Sequence, residues 1–336
     1  MPNQLSGDSG EVPYSTATKV GSVGLGDMGG PITKAILRRF PIIAFDLRQE
    51  ALDNLVAAGA QSAASLHALA DSCEVAVVTV VTDKQVETVV GEFLAHPGKL
   101  RDVIICSTIL PATVIKLHEK AVAAGSFNVI DAPVSGGGEK AEKGIISILV
   151  GGDAAAVKRS WPILEAFGKD IFHLGPAGAG ATGKLITNMM SLGTNMLLLE
   201  AMELGRAHGV TEDAIATFLP TTSGDSRVIR TWGRYDRMRR THTLAGTDAM
   251  YGMFAKDMGI AAAAAGAQGV VLPLASALSG MIIEKAKKRD KFLADNNMLG
   301  PIPRCPVCTL ELGFPYQAAG VHPDCALELD ASPDAS

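Results

Sequence analysis

A lysine closes the glycine-rich segment GAGATGK, residues 178–184. Its spacing, G-x-x-x-x-G-K, is that of a phosphate-binding loop, which also needs a serine or threonine after the lysine to hold Mg²⁺. Leu185 occupies that position, which argues against an ATPase. Asn188 follows Lys184 by four residues, so on a helix the two side chains would share one face. The turn therefore places a lysine beside an amide, for chemistry other than phosphate binding.

A second glycine motif lies far earlier in the chain. GLGDMG, residues 24–29, is G-x-G-x-x-G between a predicted strand, Val20–Val23, and a predicted helix. In such a motif the first glycine permits a tight turn, the second admits a pyrophosphate, and the third lets helix and strand pack closely. The helix N-terminus offers unpaired N–H groups to the anion. We expect a dinucleotide to bind at Gly24, Leu25, Gly26, Asp27, Met28 and Gly29.

An acidic residue follows this motif at the end of the next predicted strand. Asp46 lies 22 positions after Gly24. Its carboxylate can accept hydrogen bonds from both hydroxyls of the adenosine ribose and would repel a 2′-phosphate, which favours NAD over NADP. Arg48 could hold that phosphate, so NADP stays an alternative.

The elements that would position these residues alternate along the first half of the chain. Apolar segments such as EVAVVTVV and VIICSTI are separated by helical segments up to residue 177, which indicates a parallel sheet covered on both faces. One long helix is predicted from Ala179 to His208, and the pattern then stays helical to about Asp295. The fold class is therefore an α/β Rossmann domain, a long interdomain helix and an all-α C-terminal domain.

Composition narrows the function classes. The 336 residues carry a formal net charge of −5, which argues against a nucleic-acid-binding protein. The polar N-terminus lacks the apolar segment of a signal peptide. Residues 258–283 carry no charge, but alanine and glycine dominate them and Pro273 interrupts them. We therefore expect no membrane span and a cytoplasmic protein.

Cysteine and histidine cluster near the C-terminus. CPVC and HPDC together give C-x2-C-x13-H-x2-C, the ligand set of a small structural zinc module. Four protein ligands leave no open coordination position, so the predicted metal is structural. Unpaired thiols in a proline-rich tail are the alternative. The predicted ligands are Cys305, Cys308, His322 and Cys325.

Six arginines lie between Arg227 and Arg240. Arg227 or Arg230 could bind an acidic or polyhydroxylated substrate. A solvated or dimer-facing helix with ion pairs is the preferred interpretation, so these arginines are not assigned to the site.

Taken together, the motifs resemble those of the β-hydroxyacid dehydrogenase family, the group of 3-hydroxyisobutyrate dehydrogenase and tartronate semialdehyde reductase. Members have a Rossmann domain, a long interdomain helix and a helical domain that usually dimerises, which implies a homodimer or homotetramer. The matching motifs, in chain order over roughly residues 18–295, are GLGDMG for the cofactor, STILP (107–111) with DAPVSGG (131–137) for the nicotinamide and substrate region, GPAGAGATGKLITN (175–188) for catalysis, and FAKDMGIA (254–261), similar to the family's Lys-Asp motif.

The resemblance implies a role for each matching residue. Lys184 would be the catalytic acid/base, and Asn188 would hydrogen-bond the substrate beside it. Val81-Thr82 stands where the family often has Leu-Pro, so the chain departs from the family where Val81 would meet the cofactor. The substrate carboxylate would bind Ser135, Gly136 and Gly137, and the nicotinamide end of the cofactor would contact Thr108 and Lys256.

Four parts of the chain are predicted on this plan. A flexible leader, 1–17, precedes an NAD-binding Rossmann domain, 18–177. A helical domain for substrate binding and dimerisation, 178–297, precedes the Cys/His tail, 298–336.

The chemistry that this set predicts is hydride transfer. Oxidising an alcohol needs a base for the hydroxyl proton as hydride leaves the carbon. Burial and the positive nicotinamide ring would lower the pKa of Lys184 toward that use, and in reduction its ammonium would donate the proton. The predicted function is an NAD(P)-dependent 3-hydroxyacid dehydrogenase or semialdehyde reductase acting on a small hydroxy acid or semialdehyde. The alternatives are an imine reductase-like enzyme, a class that lacks this lysine, and a non-catalytic NAD-binding protein.

Overall fold

The computed structural model describes residues 12–236 and 247–296. The chain divides into two compact units, Met1–Thr187 and Asn188–Ser336. The described part of the expected leader is anchored, because Tyr14 is buried and its hydroxyl donates a 2.6 Å hydrogen bond to Asp102 Oδ2. The division of the chain into four parts stays a prediction.

The first unit is built on one sheet. Its order is β3-β2-β1-β4-β5-β6-β8-β7, and β9 pairs with β8. Apolar segments such as Ile42–Phe45 and Val75–Val78 form the central strands, as expected for strands that are buried on both faces. The strands are β1 (Val20–Val23), β2 (Ile42–Phe45), β3 (Gln61–Ser62), β4 (Val75–Val78), β5 (Asp102–Ile105), β6 (Asn128–Asp131), β7 (Val134–Ser135), β8 (Ile146–Gly151) and β9 (Gly168–Gly175).

Strand direction corrects one prediction. The sheet is parallel from β3 to β6, but β8 runs antiparallel to both β6 and β7. The prediction of a parallel sheet is therefore wrong at the end formed by β7 and β8. After β7 the chain turns back through residues 136–145, without the long crossover that a parallel neighbour requires. The parallel strands β1, β2, β4, β5 and β6 all end on one side of the sheet, hereafter the carboxyl edge.

Helices cover both faces of the sheet. Side chains alternate between the faces along a strand, so Ile104 joins one apolar cluster with Ile36 and Phe167, and Ile105 joins the other with Phe93. Full burial of such side chains contributes about 1.5–3 kcal/mol each. The helices of this unit are α1 (Gly29–Leu37), α2 (Gln49–Ala57), α3 (Leu66–Ser72), α4 (Asp83–Ala95), α5 (Pro111–Ala123), α6 (Gly138–Glu142) and α7 (Ala154–Phe167).

The described part of the second unit is helical. Its long helix α8, Ala179–Ala207, begins in the first unit and ends one residue before the predicted His208. A cluster that includes Leu192, Met196 and Phe254 forms the core. The remaining elements are α9 (Glu212–Phe218), a 3₁₀ turn (Leu219–Thr221), α10 (Arg227–Arg230), α11 (Thr247–Gly266) and α12 (Pro273–Asp295).

The uncharged stretch of residues 258–283 is divided between two helices. Helix α11 ends at Gly266, α12 begins at Pro273, and Gly269 between them has a φ of +70°. Over residues 12–236 and 247–296, no helix is both long and apolar enough to cross a membrane.

Candidate active site

The glycine motif forms the turn from β1 into α1, and the steric surroundings differ at each of its three glycines. Gly24 has a φ of +85°, and a Cβ there would lie 2.4 Å from the Thr79 carbonyl oxygen. A Cβ on Gly29 would lie 1.8 Å from the Gly24 carbonyl oxygen, so only glycine allows α1 to start this close to the strand. At Gly26 the nearest atom would be Arg48 Nη2 at 3.7 Å, so the space above this residue is open. This loop fits a pyrophosphate at the position where a Cβ would otherwise project.

Asp46 connects the end of β2 to this loop. Its Oδ2 accepts a 2.7 Å hydrogen bond from the Leu25 N–H. Its Oδ1 accepts from the Arg48 N–H at 2.9 Å and from Arg48 Nε at 3.2 Å. Burial alone would raise the pKa of Asp46, but these hydrogen bonds and the Arg48 charge outweigh it and hold the pKa below its ordinary value. An ionised carboxylate thus stands beside the dinucleotide loop, with a guanidinium on its outer side.

The ends of β4 and β5 are tied to each other. The buried Ser107 hydroxyl accepts a 3.0 Å hydrogen bond from the Val80 N–H. The N–H of Val81 donates 2.9 Å to Gln85 Oε1, within the capping of α4, and the Val81 side chain is 61% exposed. Thr108 is half-buried at the end of β5. Both predicted cofactor residues, Val81 and Thr108, therefore lie at the carboxyl edge.

The predicted carboxylate-binding turn follows β7. Gly136 and Gly137 have φ values of +148° and +92°, a backbone conformation that residues other than glycine rarely adopt. A Cβ on Gly138 would lie 2.7 Å from the Asp27 carbonyl oxygen. The turn after Ser135 is therefore packed directly against the dinucleotide loop.

The glycine-rich segment before Lys184 begins helix α8 against the ends of β6 and β8. Asp131 accepts hydrogen bonds from the N–H groups of Gly178, 2.9 Å to Oδ1, and Ala181, 2.6 Å to Oδ2. Burial raises the pKa of Asp131, and these N–H donors offset part of that effect. Lys184 lies half-buried one turn further along α8. The site residues of the first unit thus share the carboxyl edge.

Two predicted residues lie in the second unit. The Asn188 Nδ2 donates a 2.8 Å hydrogen bond to Asp257 Oδ2, and Lys256 Nζ lies 3.2 Å from Asp257 Oδ1. Asp257 is buried. Because its amide nitrogen donates to Asp257, Asn188 keeps its carbonyl oxygen as an acceptor. Sequence reasoning placed Asp257 in the Lys-Asp motif but gave it no role, and so missed that its carboxylate contacts both Asn188 and Lys256.

Sequence reasoning also missed the contact between Asp131 and α8. The bonded residues are 47 and 50 positions apart, so no local pattern predicts them. The available signals are an aspartate that ends a buried strand and another directly after Lys256.

The remaining predictions concern metal ligands and arginines. Within the described ranges, no group of three or more His, Cys, Asp or Glu side chains could hold a metal. The predicted zinc ligands Cys305, Cys308, His322 and Cys325 lie outside those ranges. Arg230 makes a bidentate ion pair with Asp225, with a shortest distance of 2.7 Å, and its side chain is 60% exposed.

Two sequence families match consecutive parts of the chain. The NAD-binding domain of 6-phosphogluconate dehydrogenase matches residues 19–175. The NAD-binding domain of NADP-dependent 3-hydroxyisobutyrate dehydrogenase matches residues 178–300.

Individual relatives are similar over most of their length. An NAD-dependent L-serine dehydrogenase of Pseudomonas aeruginosa is 35% identical over 268 residues, which cover 77% of this chain and 89% of the relative. A 3-hydroxyisobutyrate dehydrogenase of the same species is 37% identical over 62% of this chain and 70% of the relative. A solved structure of Mycobacterium tuberculosis 3-hydroxyisobutyrate dehydrogenase with L-serine has a TM-score of 0.69 and 25% identity, and covers 83% of this chain and 94% of its own.

The fold, the dinucleotide loop and these similarities define an NAD(P)-dependent oxidoreductase that acts on hydroxyl groups. The chain belongs to the β-hydroxyacid dehydrogenase family, among the 3-hydroxyisobutyrate dehydrogenase-like enzymes. A solved imine reductase from Streptomyces aurantiacus shares the fold at 19% identity and a TM-score of 0.56, and so shows the fold alone.

Proposed function

We propose that this enzyme oxidises the terminal hydroxyl of a small 3-hydroxyacid with NAD, and that L-serine or a close analogue is its substrate. The observation that carries the proposal is the meeting of three elements at one sheet edge: the dinucleotide loop, the Ser135–Gly137 turn and the start of the helix that bears Lys184. L-serine is chosen because it appears in the names of a similar enzyme and of a similar solved structure.

The proposed roles follow from the chemistry of each group. The cofactor, when bound, accepts a hydride from the carbon that carries the hydroxyl. Lys184, as the neutral amine, would take the hydroxyl proton and become an ammonium, so the alcohol would lose one hydride and one proton and become an aldehyde. The N–H groups and hydroxyl of Ser135–Gly137 would bind the substrate carboxylate. Asn188, oriented by Asp257, would accept or donate a hydrogen bond at the substrate without adding a charge.

Different residues would contact different parts of the dinucleotide. Residues of the GLGDMG loop would hold the pyrophosphate, and Asp46 would accept from the ribose hydroxyls. Val81, Thr108 and Lys256 would lie toward the nicotinamide. The ionised Asp46 supports NAD over NADP, because a 2′-phosphate would meet a negative charge.

Self-association is part of the proposal. Three apolar side chains lie seven residues apart along α8 and are more than half exposed: Met190 at 67%, Leu197 at 67% and Leu204 at 63%. This is the spacing of a helix–helix seam, and it supports a homodimer or homotetramer. In sedimentation we expect Leu197→Glu to dissociate the assembly. A wild-type monomer would contradict the proposal.

A structural zinc in the tail is also proposed, on the ligand spacing alone. Metal analysis of the purified enzyme should give about one zinc per chain, lost on Cys305→Ser. Zinc-free protein with normal activity would contradict it.

A substrate panel tests the proposed reaction. L-serine, 3-hydroxyisobutyrate and other small 3-hydroxyacids would be supplied with NAD and with NADP, and the reduced cofactor followed by absorbance. We expect turnover of at least one of these acids, with NAD preferred. Substrate with deuterium on its third carbon should deliver deuterium to the nicotinamide. Turnover of cyclic imines but of none of the acids would favour an imine reductase instead.

A further inference from the structure

The carboxylate of Asp131 accepts hydrogen bonds at the N-terminus of α8, the helix that carries Lys184. The first N–H groups of a helix have no partner within it. Asp131, at the end of β6 and 1% exposed, supplies partners for two such groups, on Gly178 and Ala181. A negative charge at this end also interacts favourably with the helix dipole. The strand end and the helix start are thereby joined through one side chain.

Glycines on both elements make this contact close. A Cβ on Gly180 would lie 2.4 Å from the Leu149 carbonyl oxygen and 2.6 Å from that of Asp131. A Cβ on Gly151 would lie 2.5 Å from Asp131 Oδ1. Any side chain at these glycines would force the helix away from the sheet. Glycine at these positions therefore allows the segment GAGATGK to pack closely on β6 and β8, and one buried carboxylate binds it there.

We propose that Asp131 is a positioning residue of this enzyme: by fixing the first turn of α8, it fixes where Lys184 stands at the carboxyl edge. The inference rests on the proposed role of Lys184. Lys184 is the third residue after Ala181, which is a rise of about 4.5 Å along the helix axis. A displacement of the first turn would therefore displace Lys184 as well. A misplacement of about 1 Å at a reacting group can lower a rate about 100-fold.

An aspartate elsewhere in the same unit provides a matched control. Asp153 begins α7, and its Oδ1 accepts from the N–H groups of Ala155 at 2.9 Å and Ala156 at 3.1 Å. Helix α7 bears none of the proposed site residues. Asp153→Asn and Asp131→Asn make the same substitution with different consequences. Asparagine at 153 keeps the one oxygen that accepts both N–H groups, whereas asparagine at 131 loses one of two accepting oxygens.

The test combines kinetics with hydrogen exchange on the full-length enzyme. For Asp131→Asn we expect kcat to fall about 10- to 100-fold while KM for NAD changes less than about twofold. Amide exchange should rise over residues 178–184. For Asp153→Asn we expect amide exchange at the start of α7 and kcat both to stay within about twofold of wild type.

Two results would overturn the inference: a wild-type kcat for Asp131→Asn, or equal losses of kcat in both variants. If Asp131→Asn fails to fold, Gly151→Ala provides a second test, because its Cβ would lie 2.5 Å from Asp131 Oδ1 and 2.7 Å from the Gly180 nitrogen. It would displace both the carboxylate and the first turn of α8 and should lower kcat likewise, whereas an unchanged kcat would count against the inference. Gly91→Ala, where a Cβ meets nothing within 4 Å, is its control. Failure of the proposed function would look different. In that case the wild type would not turn over any of the acids, but Asp131→Asn would still raise amide exchange over residues 178–184.

Discussion

Replacing Asp46 with asparagine should reverse the cofactor preference of this enzyme. In the wild type, Asp46 Oδ2 binds the Leu25 N–H at 2.7 Å and its Oδ1 lies 3.2 Å from Arg48 Nε. The variant removes the negative charge, keeps an oxygen that can accept from Leu25, and leaves the Arg48 guanidinium without its carboxylate. A 2′-phosphate would then meet a cation instead of an ion pair.

The size of the effect follows from Coulomb's law. Two unit charges about 4 Å apart interact by about 1 kcal/mol in water and about 4 kcal/mol at an effective dielectric constant near 20. The Asp46 side chain is 9% exposed and that of Arg48 63%, so the site lies between these limits. We expect NADPH to bind the variant more tightly by about 2 kcal/mol, or about 30-fold in Kd. NADH should bind about tenfold more weakly, because hydrogen bonds to a charged acceptor contribute about 1.5–3 kcal/mol.

Titration calorimetry with NADH and NADPH measures both constants directly. Arg48→Ala is the control: on its own it should not improve NADPH binding, and added to Asp46→Asn it should cancel the gain. The reasoning is refuted if Asp46→Asn binds NADPH no more tightly than the wild type does.

Two further predictions concern stability and thiol reactivity. Glu212 makes a bidentate ion pair with the buried Arg289, at 2.6 and 2.9 Å, and Asp236 lies 3.0 Å from the same guanidinium. Glu212→Gln weakens the first pair but leaves Arg289 paired with Asp236, so it should lower the free energy of unfolding in urea by about 1.5–3 kcal/mol. Asp225→Asn, which breaks the exposed pair between Asp225 and Arg230, should leave the free energy of unfolding nearly unchanged, and equal losses in the two variants would contradict this account. Burial raises the pKa of both Cys73 and Cys106 to about 12, so iodoacetamide labelling of their peptides should stay slow from pH 7 to pH 10 in the folded enzyme and become fast in urea. Fast labelling of either cysteine at pH 8 without denaturant would contradict their burial.

Local patterns in the sequence predict much of the fold. The segment VGSV, Val20–Val23, directly before a glycine motif predicts β1, and the structure has the same bounds. The long helix from Ala179 is predicted to within one residue because it lacks proline and is followed by Gly209, whose φ is +75°. These features depend on neighbours in the sequence, which can be read directly.

The elements that the sequence did not predict depend on distant partners. The direction of β8 is set by where the chain turns after β7, and apolar runs look alike in parallel and antiparallel strands. The contacts of Asp131 with α8 and of Asp257 with Asn188 join residues 47 to 69 positions apart. Glycines such as Gly151 and Gly180 are visible in the sequence, but the atoms that exclude a side chain from them belong to other strands.

The central claim is that Lys184 transfers the proton of the substrate hydroxyl, and turnover by Lys184→Ala tests it most directly. The measurement compares kcat for the 3-hydroxyacid that the wild type oxidises best, with Kd for NADH determined on the same protein. General acid–base catalysis contributes about 10²- to 10⁴-fold, so kcat should fall at least about 100-fold while the Kd for NADH changes less than about threefold. A variant that binds NADH normally and turns over at the wild-type rate would contradict the account.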